Sequence, residues 1–256
     1  MSINHSESAA GGSATTPPPR VPEGRGVWCQ AVGTSMLTNL ATAGFDWVCV
    51  DQQHGWYGRT DLVDIARGLP EHSAPLVVRV PAVEFTAIGL ALDVGAAAVI
   101  VPQIDTPEQA AQAVEATFYP PRGRRSFGQL QPAWGAAAFS TDEANQRATC
   151  AVMIESATAL ANVDAIAAVP GVDMLFIGPF DLTLSMGSSI DTELDDLAPE
   201  SAISRIRRAA ETNGLRVGAF GGDPATARRF NERGIDCTAC ATDGWIVAQG
   251  TAAALA

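Results

Sequence analysis

The chain has 256 residues, 47% of them hydrophobic and 17% charged. That is enough apolar matter for one large core, and it excludes general disorder. The formal charge is −12, from 28 acids against 16 bases. This argues against a nucleic-acid partner, whose capture needs a basic face. All 16 bases are arginine. Without lysine, Schiff-base catalysis through a lysine amine is closed. No apolar run approaches the roughly 20 residues that span a bilayer. The five cysteines (Cys29, Cys49, Cys150, Cys237 and Cys240) are odd in number and mostly inside apolar runs. They read as reduced core residues of a cytoplasmic protein, and the Cys237/Cys240 pair as part of a strand.

Residues 1–23 are rich in Ser, Gly, Thr and Pro and have little to bury. They lack the basic start and apolar stretch of a secretory signal, and a disordered leader is expected. Residues 24–256 are expected to form one domain. Short apolar, β-branched runs fall at 27–32, 47–51, 76–80, 98–102, 151–155, 174–178, 216–220 and 237–241. Helical stretches lie between them, at 62–68, 87–94, 107–117, 157–168, 200–213, 224–233 and 244–254. Eight strands alternating with helices, over about 230 residues, predict a (β/α)8 TIM barrel. An open doubly wound sheet is the alternative, but no GxGxxG follows the first run.

In such a barrel the chemistry sits where strands end at their C-terminal side. Run two ends in Asp51-Gln52-Gln53-His54, and run three carries Arg79. Run five ends in Glu155, and run six in Gly178-Pro179-Phe180-Asp181. His5 falls in the leader and His72 in a polar loop, so His54 alone is placed to move a proton near neutrality. Glu155 and Asp181 each close an apolar run. Two acids from adjacent strands suit a hard divalent cation such as Mg²⁺ or Mn²⁺. A helix cap or an arginine pair is the plainer reading of either acid alone. Arg79 is either an anion clamp or the partner of Asp51 or Glu155. Gly221, Gly222 and Asp223 could cradle a phosphate, although Asp223 also suits a helix cap before Pro224. The long stretch 119–148, with Arg122, Arg124 and Arg125, suggests a lid or a subunit contact.

The segments GVW, AGFDWVCVDQQHG, VVRV, VPQIDTPEQA, YPPRGRRSFG, VMIES and VPGVDMLFIGPFDLTLSMG occur in this order from Gly26 onward. Together they resemble the HpcH/HpaI family of class II pyruvate aldolases, which includes 4-hydroxy-2-oxoheptanedioate and 2-dehydro-3-deoxyglucarate aldolases. The resemblance implies reversible cleavage of a 4-hydroxy-2-oxo acid to pyruvate and a small aldehyde. It implies Glu155 and Asp181 as ligands of Mg²⁺, Mn²⁺ or Co²⁺, with no organic cofactor. His54, with Asp51 beside it, would be the acid/base group. Arg79 would stabilise charge on the pyruvate keto oxygen, and Gly178 and Pro179 would line its carboxylate. Trp28 would wall the pocket, and Gln53 would face substrate where relatives often carry an acid. A homohexamer is implied, with the last helix packed on a neighbouring copy. Departures at Gln53, at Met153 and after RSFG bear on the aldehyde rather than on the metal or base. A lyase acting on a CoA thioester, and a barrel kept as a non-catalytic subunit, are the alternative functions.

Overall fold

The computed structural model describes residues 22–256. The expected leader, apart from its last two residues, lies outside the described residues. Eight parallel strands close into a barrel in chain order: β1 (Gly24–Cys29), β2 (Trp47–Asp51), β3 (Leu76–Arg79), β4 (Ala98–Val101), β5 (Thr149–Ile154), β6 (Met174–Ile177), β7 (Arg216–Phe220) and β8 (Cys237–Thr242). The helices are α1 (Thr34–Ala41), α2 (Arg59–Gly68), α3 (Phe85–Asp93), α4 (Pro107–Thr117), α5 (Thr141–Arg147), α6 (Ala157–Ala161), α7 (Val163–Ala167), α8 (Pro179–Met186), α9 (Ile190–Asp195), α10 (Ala202–Asn213), α11 (Pro224–Glu232) and α12 (Asp243–Leu255). The expected (β/α)8 barrel is the fold.

Side chains alternate across each strand with a period of two. Val27, Cys29, Val48, Val50, Val99, Val101, Val152 and Ile154 pack outward under the helices. Trp28, Trp47, Cys49, Val77, Ala98, Ile100, Met153, Met174, Phe176 and Ala239 fill the interior, with Phe220 against them. The barrel is therefore packed with side chains rather than hollow. Continuing the inward phase by one position from Cys49, Val77 and Met153 reaches Asp51, Arg79 and Glu155. The top inward layer is thus polar, and it floors the mouth.

The boundaries differ from expectation in three instructive places. The first strand starts earlier and stops at Cys29 rather than Val32. Gly26 permits the early start, because a Cβ there would stand 2.2 Å from the Trp47 ring. The backbone amides of Gln30, Ala31 and Val32 leave the ladder to donate to one oxygen, Oδ2 of Asp243, at 2.9, 2.8 and 3.0 Å. The helix expected at 157–168 breaks at Asn162, which sits between α6 and α7. Its side chain donates to the carbonyl of Asp105 at 2.7 Å. The third difference is the stretch 119–148. Leu130 donates to the carbonyl of Asp93, and Gln131 lies against Gly95, on the chain entering β4. The stretch therefore packs at the end of the barrel opposite the mouth, and it is no lid over this chain's own site.

Asp223 caps α11 by accepting from the amides of Ala225 and Thr226, so the helix-cap reading holds there. The five cysteines are free thiols, and burial is the largest cause pushing those of Cys150 and Cys237 up to about 12. Among the described residues, no helix is long and apolar enough to cross a membrane.

Asp243 is buried and joins the last strand to the exit of the first. Asp243→Ala would strand three amides that now share a carboxylate oxygen. At roughly 1–3 kcal/mol for a lost bond of this kind, the expected destabilisation is about 3 kcal/mol. Thermal unfolding should show a Tm lower by about 10 °C for a domain of this size. An unchanged Tm would show that the seam does not depend on this side chain.

Candidate active site

The register of the sheet sets Asp51 of β2 directly beside Arg79 of β3. Both are buried, and the guanidinium meets the carboxylate side-on, with Nε donating to Oδ1 at 2.9 Å and Nη2 to Oδ2 at 2.6 Å. Asp51 accepts four more hydrogen bonds: from Trp28 Nε1 at 3.2 Å, Gln30 Nε2 at 3.1 Å, Gln53 N at 3.0 Å and His54 N at 3.2 Å. Burial pushes its carboxyl up. The hydrogen bonds and charge of Arg79, joined by Trp28 and the His54 amide, outweigh that and hold it below the ordinary value.

This arrangement revises two expectations. Asp51 bonds the backbone of His54 and has no hydrogen bond to its ring. Its acceptor positions are taken by Arg79, Trp28, Gln30 and the backbone amides of Gln53 and His54, so the couple of Asp51 with the His54 ring is not formed. Trp28 is fully buried and does not wall the pocket. It lies under the mouth, with Phe176 at 5.8 Å and Phe220 at 5.1 Å between ring centroids, and the Arg79 guanidinium 5.1 Å from its own. The role of Trp28 is to aim Asp51 and to support Arg79 from below.

For Arg79, the pair with Asp51 and the facing of a cavity coexist. Asp51 occupies the Nε and Nη2 edge, and among the described residues Nη1 has no hydrogen-bond partner. Arg79 lines an inner cavity of about 230 Å³ together with Gln30, His54, Glu155, Gly178, Pro179 and Asp181. Met153, Phe180 and Phe220 give it an apolar side.

Glu155 is buried at the end of β5. Its Oε1 accepts the Gln103 amide at 2.6 Å. Gln103 has φ +57°, a left-handed conformation that a residue with a side chain adopts at a cost. The Glu155 Oε2 is buried and has no hydrogen-bond partner among the described residues. Burial pushes this carboxyl up. The Gln103 amide pulls it down, the Asp181 charge pushes it further up, Arg79 and His54 pull it down, and the net position is above the ordinary value. Gly178 stands over the same oxygen, since a Cβ there would come within 2.8 Å of Oε2. A side chain at 178 would fill the space that Oε2 faces.

Asp181 is exposed at the mouth, and among the described residues its carboxylate makes no hydrogen bond. Gly178, not Asp181, is the cap of α8, and Pro179 is its first residue. The first-turn amides of α8 have no carbonyl partner inside the helix. His54 is exposed at the same mouth, and its ring accepts and donates no hydrogen bond within the described protein. Gln53 lines a second, outer cleft of about 740 Å³ that continues from the first across His54, Glu155 and Asp181.

Arg122, Arg124 and Arg125 are elsewhere. Arg122 bonds the carbonyl of Asn145, Arg124 pairs with Glu115, and Arg125 pairs with Asp93. None lines either cavity. The sequence reading missed Gln30, which follows β1 directly, and Asp105, Gln109, Ser156 and Ser185 of the outer cleft. Gln30, Asp105 and Ser156 carried only the signal of position just beyond a strand, and Gln109 and Ser185, inside α4 and α8, carried none.

The barrel's polar mouth can be set beside known proteins. A model of the HpcH/HpaI aldolase/citrate lyase family matches residues 25–249. The chain is 36% identical over 220 residues to a 2-dehydro-3,6-dideoxy-6-sulfogluconate aldolase of Pseudomonas putida, covering 85% of this chain and 86% of that one. It is 34% identical over 229 residues to a 2-keto-3-deoxy-L-rhamnonate aldolase of Klebsiella pneumoniae subsp. pneumoniae, covering 88% and 84%. A crystal structure of an HpcH/HpaI aldolase/citrate lyase family protein from Burkholderia cenocepacia J2315 superposes with a TM-score of 0.79 at 35% identity, covering 91% of this chain and 93% of that one. Match of the family model over nearly the whole barrel, with relatives above 30% identity on the same span, establishes that the chain belongs to the HpcH/HpaI aldolase/citrate lyase family of carbon–carbon lyases.

Proposed function

We propose that the inner cavity binds pyruvate beside a divalent cation, and that the enzyme reversibly cleaves a 4-hydroxy-2-oxo acid to pyruvate and an aldehyde. One observation carries this reading. Glu155 Oε2 is buried without a partner, beside an Asp181 carboxylate that is also unpaired. An unpaired carboxylate oxygen away from water costs free energy, and a cation removes the cost. Among the described residues no cluster of three or more His, Cys, Asp or Glu could hold a metal. Two carboxylates alone fit Mg²⁺, Mn²⁺ or Co²⁺, which keep positions for water and substrate oxygens. When bound, the cation would act as a Lewis acid on the keto oxygen.

The chain's own groups supply the rest. Arg79 offers Nη1 to the keto oxygen, where negative charge grows as the enolate forms, and Asp51 fixes its plane. The first-turn amides of α8, beyond Gly178 and Pro179, receive the pyruvate carboxylate. His54 takes the proton from the 4-hydroxyl oxygen in the cleavage direction. The carbon–carbon bond then breaks, its electron pair becomes the enolate, and the protonated His54 returns its proton to the enolate carbon, which becomes the pyruvate methyl group. Met153, Phe180 and Phe220 keep water from that carbon.

The thioester alternative would need cations for its phosphates. Among the described residues lining the two cavities, Arg79 is the sole arginine, and Asp51 already holds it. The non-catalytic alternative is set aside by the family relationship. A homo-oligomer, in the family's case a hexamer, is supported by the exposed apolar side chains of Val247 and Leu255 on α12 and of Trp56, Phe180 and Leu184 around the mouth. Sedimentation should give a mass several times the 26.6 kDa of one chain, and a monomer at micromolar concentration would end this part of the reading.

Deuterium exchange at the pyruvate methyl group, followed by NMR, tests the first half-reaction without the aldehyde. Exchange should stop with EDTA and return with Mg²⁺ or Mn²⁺. Glu155→Ala should abolish it even at high metal, and His54→Ala should lower it by about 10²-fold or more while pyruvate still binds. Exchange that ignores EDTA, or survives loss of Glu155, would sink the metal reading.

Asp51→Asn should leave Arg79 buried against a neutral partner, destabilising the fold by about 3 kcal/mol at neutral pH. The sign follows from the depressed carboxyl. Its contribution is present above the ordinary carboxylate range and lost as pH falls through its own lower value. The gap between variant and wild type should therefore close in acid. A gap independent of pH would show that the Asp51 charge contributes nothing.

A further inference from the structure

A third cavity, of about 170 Å³, lies at the end of the barrel opposite the mouth. Its floor is the chain entering β4 and β5, at Ala96, Ala97 and Ala148. Its walls come largely from the stretch 119–148, which takes no part in the site at the mouth. Two arginines line it, Arg125 and Arg147, and no acid does. The chain around it carries a net charge of −12.

Each guanidinium is laid on an aromatic ring, and each keeps donors without acceptors. That of Arg125 lies 4.5 Å from the Tyr119 ring centroid, and its Nη2 pairs with Asp93 Oδ1 at 2.5 Å. The Tyr119 hydroxyl is tied in turn to the carbonyl of Gly128 at 2.9 Å. The Arg125 side chain is only 4% exposed, yet its Nε is buried with no hydrogen-bond partner. Its Nη1 has none among the described residues either. Asp93 does not line the cavity, and Gly128 covers its Oδ2, because a Cβ there would come within 2.5 Å of that atom.

Arg147, in the last turn of α5, is half-buried and stands 4.0 Å over the Phe139 ring. Among the described residues it makes no hydrogen bond and no salt bridge. Glu143, one turn back, is turned away, since its Oε2 accepts from the amide and hydroxyl of Ser140, each at 2.8 Å. Gln129 fixes Phe139 by accepting its amide at 2.9 Å and donating to its carbonyl at 2.5 Å. Gln131 adds a third donor. It lies against Gly95, where a Cβ would stand 2.0 Å from its Nε2, and that amide donates to nothing among the described residues.

Three donor groups therefore line one small space with no acceptor for them. Unmade hydrogen bonds on a buried cation cost free energy, and an acceptor that enters removes the cost. Asp93 balances the charge of Arg125, and no salt bridge balances that of Arg147, so the cavity lacks one negative charge. Leu92, Phe139 and Ala144 make the remaining wall apolar, which suits carbon better than a hydrated inorganic ion. At the roughly 30 Å³ a liquid water takes, the space of about 170 Å³ admits about six non-hydrogen atoms.

We propose that this cavity binds a small organic monocarboxylate, with its oxygens on the free edges of Arg125 and Arg147 and its carbon chain against Leu92, Phe139 and Ala144. A guanidinium meets a carboxylate edge-on, and stacking on a ring leaves that edge open. The site is separate from the mouth and does not depend on the reaction there.

The test titrates the full chain, with Mg²⁺ present, into butyrate and follows the line width of the butyrate methyl resonance. Butyrate fills the space and has no keto oxygen with which to chelate a cation at the mouth. Broadening should give a Kd of about 1 mM. Butan-1-ol and inorganic phosphate should each bind at least about tenfold more weakly, the first for want of charge and the second for want of a carbon chain. Arg147→Gln removes the unbalanced charge, and Ala144→Leu fills the space, both at half-buried positions. Each should weaken butyrate by at least about tenfold and keep the wild-type Tm. Should one variant unfold, the other decides alone. No broadening with the wild-type chain would overturn the proposal and mean that the space is closed or already filled by a second copy. Wild-type affinity in either folded variant would overturn it as well and place butyrate at the mouth, and so would phosphate or butanol binding as tightly as butyrate.

Discussion

The Asp51–Arg79 pair is the constraint on which the mouth of this barrel depends. Two opposite charges are held inside a core of tryptophan, phenylalanine and aliphatic side chains. Removing both from water costs several kcal/mol, and their attraction offsets this only if the remaining hydrogen-bonding positions are filled. Here they are filled: Asp51 accepts six hydrogen bonds from five residues. Those five residues define the floor and one wall of the site. Gln30 is held at the exit of β1, the turn at Gln53 and His54 is wound tight, and the Arg79 plane is fixed. One carboxylate thereby sets the positions of a cation, an imidazole and an amide. Preorganisation of this kind costs no rearrangement at the moment of reaction.

The pair also decides the charge of the site. Because Asp51 neutralises Arg79, the acids across the mouth have no standing counter-charge in the chain. Glu155 and Asp181 face one space, and burial raises the Glu155 carboxyl above its ordinary value. Gln103 accepts left-handed backbone geometry to give one oxygen of Glu155 an amide, and the other oxygen receives nothing from the described residues. Strain on one side and an orphan on the other describe a group arranged for something that arrives from outside.

Much of this was legible in the sequence, through one rule. In strands whose inward residues are Trp47-Cys49 or Ala151-Met153, the next inward position is where the apolar run ends in Asp51 or Glu155. The rule that barrel chemistry sits where strands end carried the reading from the apolar runs to the site, and the period-two alternation of the strands explains why it works. What stayed illegible depends on contacts far apart along the chain. Nothing local shows that Trp28 points down into the core, since an indole at a strand end suits a wall as well as a floor. The break at Asn162 answers a carbonyl 57 positions earlier. The stretch 119–148 resembles a lid in composition, but its partners are Asp93 and Gly95, and these set it at the other end. The family resemblance also implied an Asp51–His54 couple, whereas the sheet register delivers Asp51 to Arg79.

The seam made by Asp243 bears on how the chain can fold as it is made. Three amides just past the first strand wait on a carboxylate 211 to 213 positions later. During vectorial synthesis, β1 lacks one of its two neighbours until β8 has emerged, and the turn after it lacks its anchor. For most of that interval the nascent chain is an open, growing sheet with a free edge at each side. Closure is a single late event of very high contact order. The last helix begins at the residue that fastens the first strand, so a ribosome that stalls before residue 243 would hold a sheet with seven or eight strands and no latch.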